Sequence, residues 1–97
     1  MKPYTCLSID DTFEKLSQED CVIGDLRGEE AYEEGHIQNS LLLDNVGLFQ
    51  LVHFGNKDKP VILYCRTGRR SRLISYYLSA RGFKVLYSMD EIGRAHV

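Results

Sequence analysis

The chain has no long apolar run. None of its 97 residues lies in a stretch approaching the roughly 20 apolar residues that a membrane-spanning helix needs, so no membrane is expected as a partner. The opening residues, MKPYTCLSIDD, lack the apolar core of a secretory signal. Cysteine is scarce and unpaired. It occurs at positions 6, 21 and 65, an odd count with no CxxC spacing, which argues against a disulfide framework and against a zinc site. No metal is expected, and a reducing cytoplasm is the simplest setting. Net charge is only -2, too little to draw the chain to nucleic acid. There is no repeat, linker or low-complexity segment, and residues 1–97 are expected to form one domain around one core.

The charge that is present is unevenly spread. Arg66, Arg69, Arg70 and Arg72 place four of the twelve basic residues in one short window, and Glu29–Glu34 holds four of the fourteen acids. Short β-rich runs alternate with segments of helical character, the pattern of an α/β fold with a mainly parallel sheet. The expected strands are Tyr4–Leu7, Cys21–Leu26, Leu41–Leu43, Pro60–Cys65 and Lys84–Ser88. Val61 to Tyr64 is continuously apolar, as a central strand covered on both faces requires.

Four helices are expected between the strands. Ser8 caps the first, with Ile9, Phe13 and Leu16 on one face. Glu29–Glu34 is short, acidic, solvated on its face and stopped at Gly35. Val46–His53 places Leu48, Phe49 and Val52 on one side. Arg69–Arg81 has the clearest stripe, Leu73, Ile74, Tyr77 and Leu78, and Gly82 supplies a left-handed terminus.

Ligand sites in open α/β sheets lie beyond the carboxyl ends of the strands. Cys65 stands there, followed by the loop CRTGRRS, inside which a helix begins. Helical N–H groups without intrahelical partners would surround the thiol, and their partial charges favour an anion. Gly68 lets the loop curl without a side chain filling the cavity. Arg66, Arg69 and Arg70 add full charges, and such surroundings favour thiolate over thiol. Arg72 is read as a solvated residue, Cys6 and Cys21 as ordinary small hydrophobes.

These residues carry a resemblance. CRTGRRS at 65–71, after an apolar strand, resembles the active-site loop of rhodanese domains. Asp25-Leu26-Arg27, then Glu30-Ala31-Tyr32-Glu33-Glu34-Gly35-His36-Ile37, is similar to the family's other signature. Gly82-Phe83 and Val85-Leu86-Tyr87 fit its run into the last strand. The resemblance implies a rhodanese-like fold, a five-stranded, mainly parallel sheet with helices on both faces. It implies a sulfurtransferase in which Cys65 takes sulfane sulfur from a small anionic donor such as thiosulfate and passes it from a persulfide to a thiol or protein acceptor. Arg66, Thr67, Gly68, Arg69 and Arg70 would bind substrate, and the amides of residues 66–70 would hold the terminal sulfur. No cofactor is implied.

Asp25 and Arg27, at the end of a neighbouring strand, would tune the site or brace one another, with bracing favoured for Arg27. His36 is read as a structural hydrogen-bonding residue. Phosphatases and arsenate reductases of this fold place five residues between Cys and Arg; here four separate Cys65 from Arg70, and Ser71 stands where the larger loop needs Arg. A smaller cradle suits one sulfur atom better than a tetrahedral oxyanion. One departure concerns the C-terminus, where Asp90 and Glu91 stand in place of the family's paired glycines and His96 in place of an aromatic. That departure leaves a second reading, a non-catalytic or regulatory rhodanese-like binding or redox-sensing module.

Overall fold

A computed structural model describes residues 2–89; Asp90, Glu91 and His96 lie outside the described residues. In chain order the elements are β1 Thr5–Leu7, α1 Ile9–Gln18, β2 Val22–Asp25, α2 Glu29–Glu34, β3 Leu41–Leu42, α3 Asn45–Phe54, β4 Val61–Tyr64, α4 Arg69–Ala80 and β5 Leu86–Met89. The strands form one sheet in the order β1-β5-β4-β2-β3. Every pairing is parallel.

That order places the site. From β2 the chain continues outward to β3, whereas from β4 it continues the other way to β5, so the connections diverge between the neighbours β2 and β4. Crevices form where the strand order reverses. Asp25 pairs with Tyr64 at the carboxyl ends of these two strands, and Leu26 extends the pairing by donating from its N–H to Tyr64 O at 2.9 Å.

Side chains alternate across β4 with the period of two that a strand imposes. Val61 and Leu63, with Cys65 just beyond, join a core cluster that includes Leu51 of α3 and Leu78 of α4. Ile62 and Tyr64 join the opposite cluster, against which Ile9 and Leu16 of α1 pack. All four β4 residues are fully buried. Burying an aliphatic side chain contributes about 1.5–3 kcal/mol, so β4 is the strand least able to shift beneath the site.

The caps follow the local sequence. Ser8 Oγ accepts from Asp11 N at 3.0 Å, and Asp44 Oδ1 accepts from Gly47 N at 2.8 Å. Gly82 lies in the left-handed region at φ 98°, just past the end of α4, whereas Gly35 ends α2 in extended backbone.

Three expected helix faces hold in part: Ile9 and Leu16 of α1, Leu48 and Val52 of α3, and Ile74 and Leu78 of α4 pack on the core, while other residues of each stripe are turned out. In α1, Thr12 is buried and Phe13 is exposed; Thr12 is tolerated inside because its Oγ1 donates to Ser8 O at 2.8 Å. In α3, Leu51 points inward and Phe49 is exposed. In α4 the departure is largest. Ser71, Ser75 and Leu78 face the sheet, with Leu73 at 65% and Tyr77 at 42% exposure. Positions 71, 75 and 78 share a face at helical spacing, so the buried face is offset from the expected stripe, of which Leu78 and Ile74 still meet the core. The rotation of α4 is set at its first turn, where Ser71 is tied to Cys65.

Candidate active site

Cys65 is 4% exposed, at the point where β4 opens into the loop. Gly68, the N-cap residue of α4, adopts φ 82° and ψ -12°, and no side chain of its own can cap the helix. Helices normally receive at this position an oxygen from a Ser, Thr, Asp or Asn side chain. Here a sulfur takes its place. The N–H of Ser71, third residue of α4, donates to Cys65 Sγ at 3.3 Å. The thiol therefore caps the helix that follows it, where backbone partial charges favour negative charge on the cap. A Cβ on Gly68 would also approach Arg72 Nη2 at 3.2 Å, because Arg72 folds back one turn over the glycine. Arg72 is half-buried, and the expectation of a solvated side chain is corrected on that geometry.

Most of the remaining loop N–H groups are unpaired among the described residues. Arg69 N reaches Thr67 Oγ1 at 3.4 Å; among the described residues no hydrogen bond is made by the N–H groups of Arg66, Thr67, Gly68 or Arg70. Arg66, Thr67, Arg69 and Arg70 are exposed, and none of the three arginines is in an ion pair among the described residues. The loop thus sets unpaired N–H donors and exposed positive charge beside a thiol, surroundings that favour an anion. An apolar hollow of about 390 Å³ lies elsewhere, between β3 and α3, and none of its lining residues belongs to the loop.

Asp25 and Arg27 sit on the neighbouring strand end and bind each other. Asp25 is fully buried. Its carboxylate accepts from Arg27 Nε at 3.1 Å, from Arg27 Nη2 at 2.8 Å and from the Arg27 backbone N–H at 2.8 Å. Tyr64, beside Cys65 in sequence, donates its hydroxyl to Asp25 Oδ2 at 2.8 Å. That hydroxyl also accepts from Ile37 N at 3.2 Å and meets Ser40 Oγ at 3.1 Å. The bond to Asp25 raises the Arg27 pKa, and burial raises that of Tyr64. The network ties β2, β4 and the segment after α2 together on the sheet face opposite Cys65. It braces the strand ends and does not reach the sulfur. His36 likewise packs locally, its ring stacked on Tyr32 with centroids 3.6 Å apart and its Nδ1 2.7 Å from Tyr32 O.

Residues that sequence reasoning passed over are Tyr64, Ser71 and Ser88. Tyr64 reads as one more apolar residue of a central strand. Ser71 is the residue at which the loop is one position shorter than in the phosphatase type. Ser88 gives no sequence signal, because only the pairing of β4 with β5 brings it beneath the loop.

Comparison with known proteins agrees with this architecture. Residues 9–91 match the family described as the rhodanese-like domain, and the chain belongs to that family. It is 36% identical over 86 residues to a thiosulfate sulfurtransferase GlpE of Coxiella burnetii, covering 89% of this chain and 80% of that protein. It is 38% identical over 84 residues to the protein of the same name from Pseudoalteromonas translucida, covering 87% and 80%. Among solved structures, a rhodanese-like domain protein from Staphylococcus aureus superposes with TM-score 0.77 at 24% identity, covering 90% of this chain and 85% of that one. The rhodanese-like domain of an Anabaena protein gives 0.81 at 17% identity, covering 98% and 75%. Both structural likenesses speak to the fold. The expected α/β, rhodanese-like architecture is borne out, with a sheet that is parallel throughout.

Proposed function

We propose that this chain is a sulfurtransferase that carries sulfane sulfur as a persulfide on Cys65. In the first step the Cys65 thiolate attacks the outer sulfur of thiosulfate. A sulfur–sulfur bond forms, the bond within thiosulfate breaks, and sulfite leaves with its electron pair. In the second step an acceptor nucleophile attacks the terminal sulfur, and the Cys65 thiolate is released. Cyanide serves as acceptor in the test tube, giving thiocyanate, and a thiol or protein thiolate serves in the cell. Neither step changes the total of oxidised and reduced sulfur, so no metal or organic cofactor is called upon. This is covalent catalysis by double displacement.

The observation that carries the reading is the Ser71 N–H held 3.3 Å from Cys65 Sγ, at the head of a loop in which four further N–H groups have no partner among the described residues. Those of Arg66, Thr67, Gly68 and Arg70 are suited to the terminal sulfur. Arg66, Arg69 and Arg70 are suited to the sulfonate end of the donor, and Thr67 shapes the loop through its hydroxyl. Asp25 and Arg27 support the site from the strand end. The two sulfurtransferase relatives, each covering most of this chain, favour the same donor. Residues 1–97 would act as one domain. Three free thiols suit a reducing cytoplasm, and no helix among the described residues is long and apolar enough to cross a membrane. The test is thiocyanate formation from thiosulfate and cyanide. Ping-pong kinetics are expected, and Cys65→Ser should abolish turnover while Cys6→Ser and Cys21→Ser retain most of it.

A further inference from the structure

The sheet-facing side of a helix is the last place where hydroxyl groups are expected, since burying one without a partner costs about 1–3 kcal/mol in proteins. Yet Ser71 and Ser88 are both buried against each other, α4 upon β5, with their Oγ atoms 2.6 Å apart. Departures from local rules of this kind collect at functional sites.

One arrangement of protons satisfies all the contacts at once. Gly68 O can only accept, so Ser71 gives its single hydroxyl proton to it at 2.9 Å. In that arrangement Ser88 donates across the 2.6 Å contact. The other side of Ser71 Oγ faces Cys65, whose Sγ lies 3.7 Å away with the thiol as donor. When the Cys65 proton leaves to solvent, one donor is lost and an anion appears at the same place. The Ser71 proton can then turn about the Cβ–Oγ bond from Gly68 O to Sγ, with no heavy atom displaced. Gly68 O is not orphaned by the turn, because it also accepts from Arg72 N at 3.2 Å. Ser88 continues to donate to Ser71 Oγ, and a hydroxyl that accepts one hydrogen bond donates the next more strongly.

We propose that the Ser71 hydroxyl is a two-position donor that stabilises the Cys65 thiolate, with Ser88 as the positioning residue that holds it polarised. The proposal rests on Cys65 being the reacting thiol, but it concerns the thiolate and needs no sulfur donor. Failure of sulfur transfer and failure of this proposal are therefore read separately.

The test uses the full chain with Cys6→Ser and Cys21→Ser, so that Cys65 is its one thiol. Two quantities are measured at neutral pH, the ultraviolet absorbance of the thiolate and the rate of alkylation by iodoacetamide. Ser71→Ala should lower the alkylation rate about tenfold, as loss of a hydrogen bond to an ion does, with a matching loss of thiolate absorbance. Ser88→Ala should lower it about threefold, and the double variant should match Ser71→Ala alone, because Ser88 acts only through Ser71. Ser88→Thr, which keeps the hydroxyl, should restore the parent values. A folded Ser71→Ala protein with parent absorbance and rate would overturn the proposal. Should Ser71→Ala fail to fold, Ser88→Ala decides: parent values there overturn it, and a loss rescued by threonine supports it.

Discussion

Cys65 Sγ accepts the N–H of Ser71 at 3.3 Å, so the thiol at the end of one strand caps the helix that begins four residues later. Strand, loop and helix are thereby locked into one unit. The contact sets the rotation of α4, which in turn puts Ser71 and Ser75 rather than Leu73 against the sheet. It also leaves the sulfur in the electrostatic position of a capping anion.

Gly68 is the hinge on which this depends. It holds φ 82°, and left-handed backbone costs an ordinary L-residue about 1–2 kcal/mol. Gly68→Ala should lose about that much stability in urea unfolding. It should also lose activity beyond what the stability loss explains, because the new Cβ displaces Arg72. Unchanged stability would mean that the loop has another conformation open to it.

The rim arginines should affect anionic donors and little else. Arg66→Ala or Arg70→Ala is expected to lower kcat/KM for thiosulfate about tenfold, the lower end for a charge-assisted hydrogen bond because both side chains are exposed. The deficit should shrink as salt rises and screening shortens the reach of the charge. Equal kcat/KM in the wild type and both variants would show that these side chains do not meet the donor.

The brace on the opposite sheet face should appear in stability and in its pH dependence. Arg27→Ala leaves the fully buried Asp25 carboxylate without its ion-pair partner, a loss expected to cost about 3 kcal/mol. Burial raises the Tyr64 pKa above its ordinary value, so folding favours the protonated phenol. The stability this gives is fully present below about pH 10, the unfolded value, and is lost as pH rises through the higher folded one. Burial of Cys21 acts with the same sign from somewhat lower pH. Tyr64→Phe should therefore flatten the alkaline limb of a stability-against-pH curve. It should also cost roughly 1–3 kcal/mol at neutral pH through the lost partners of Asp25 and Ile37. An alkaline limb of unchanged slope would remove Tyr64 from the account.

Much of this was legible in the sequence. The strands announced themselves by apolar runs, the caps Ser8 and Gly82 by residue type, and the Cys65 loop by a thiol, a glycine and arginines at a strand end. Helix rotation was legible only in part. Phe13, Phe49, Leu73 and Tyr77 are apolar, and periodicity alone turns them inward, whereas Thr12 and Ser71 reach the interior because each finds a hydrogen-bond partner there. Tyr64 hides its hydroxyl network behind the composition of a buried strand. The Ser71–Ser88 contact joins residues 17 apart in sequence and comes from strand order, which no local pattern encodes.

The central claim is that Cys65 accepts sulfane sulfur. Intact-mass measurement after incubation with thiosulfate, followed by removal of free reagent, tests it with the fewest assumptions. The wild-type chain should gain the mass of one sulfur atom, lose it on addition of cyanide, and show neither change as Cys65→Ser. A folded wild-type protein that gains nothing, or a Cys65→Ser protein that gains the same sulfur, would contradict it.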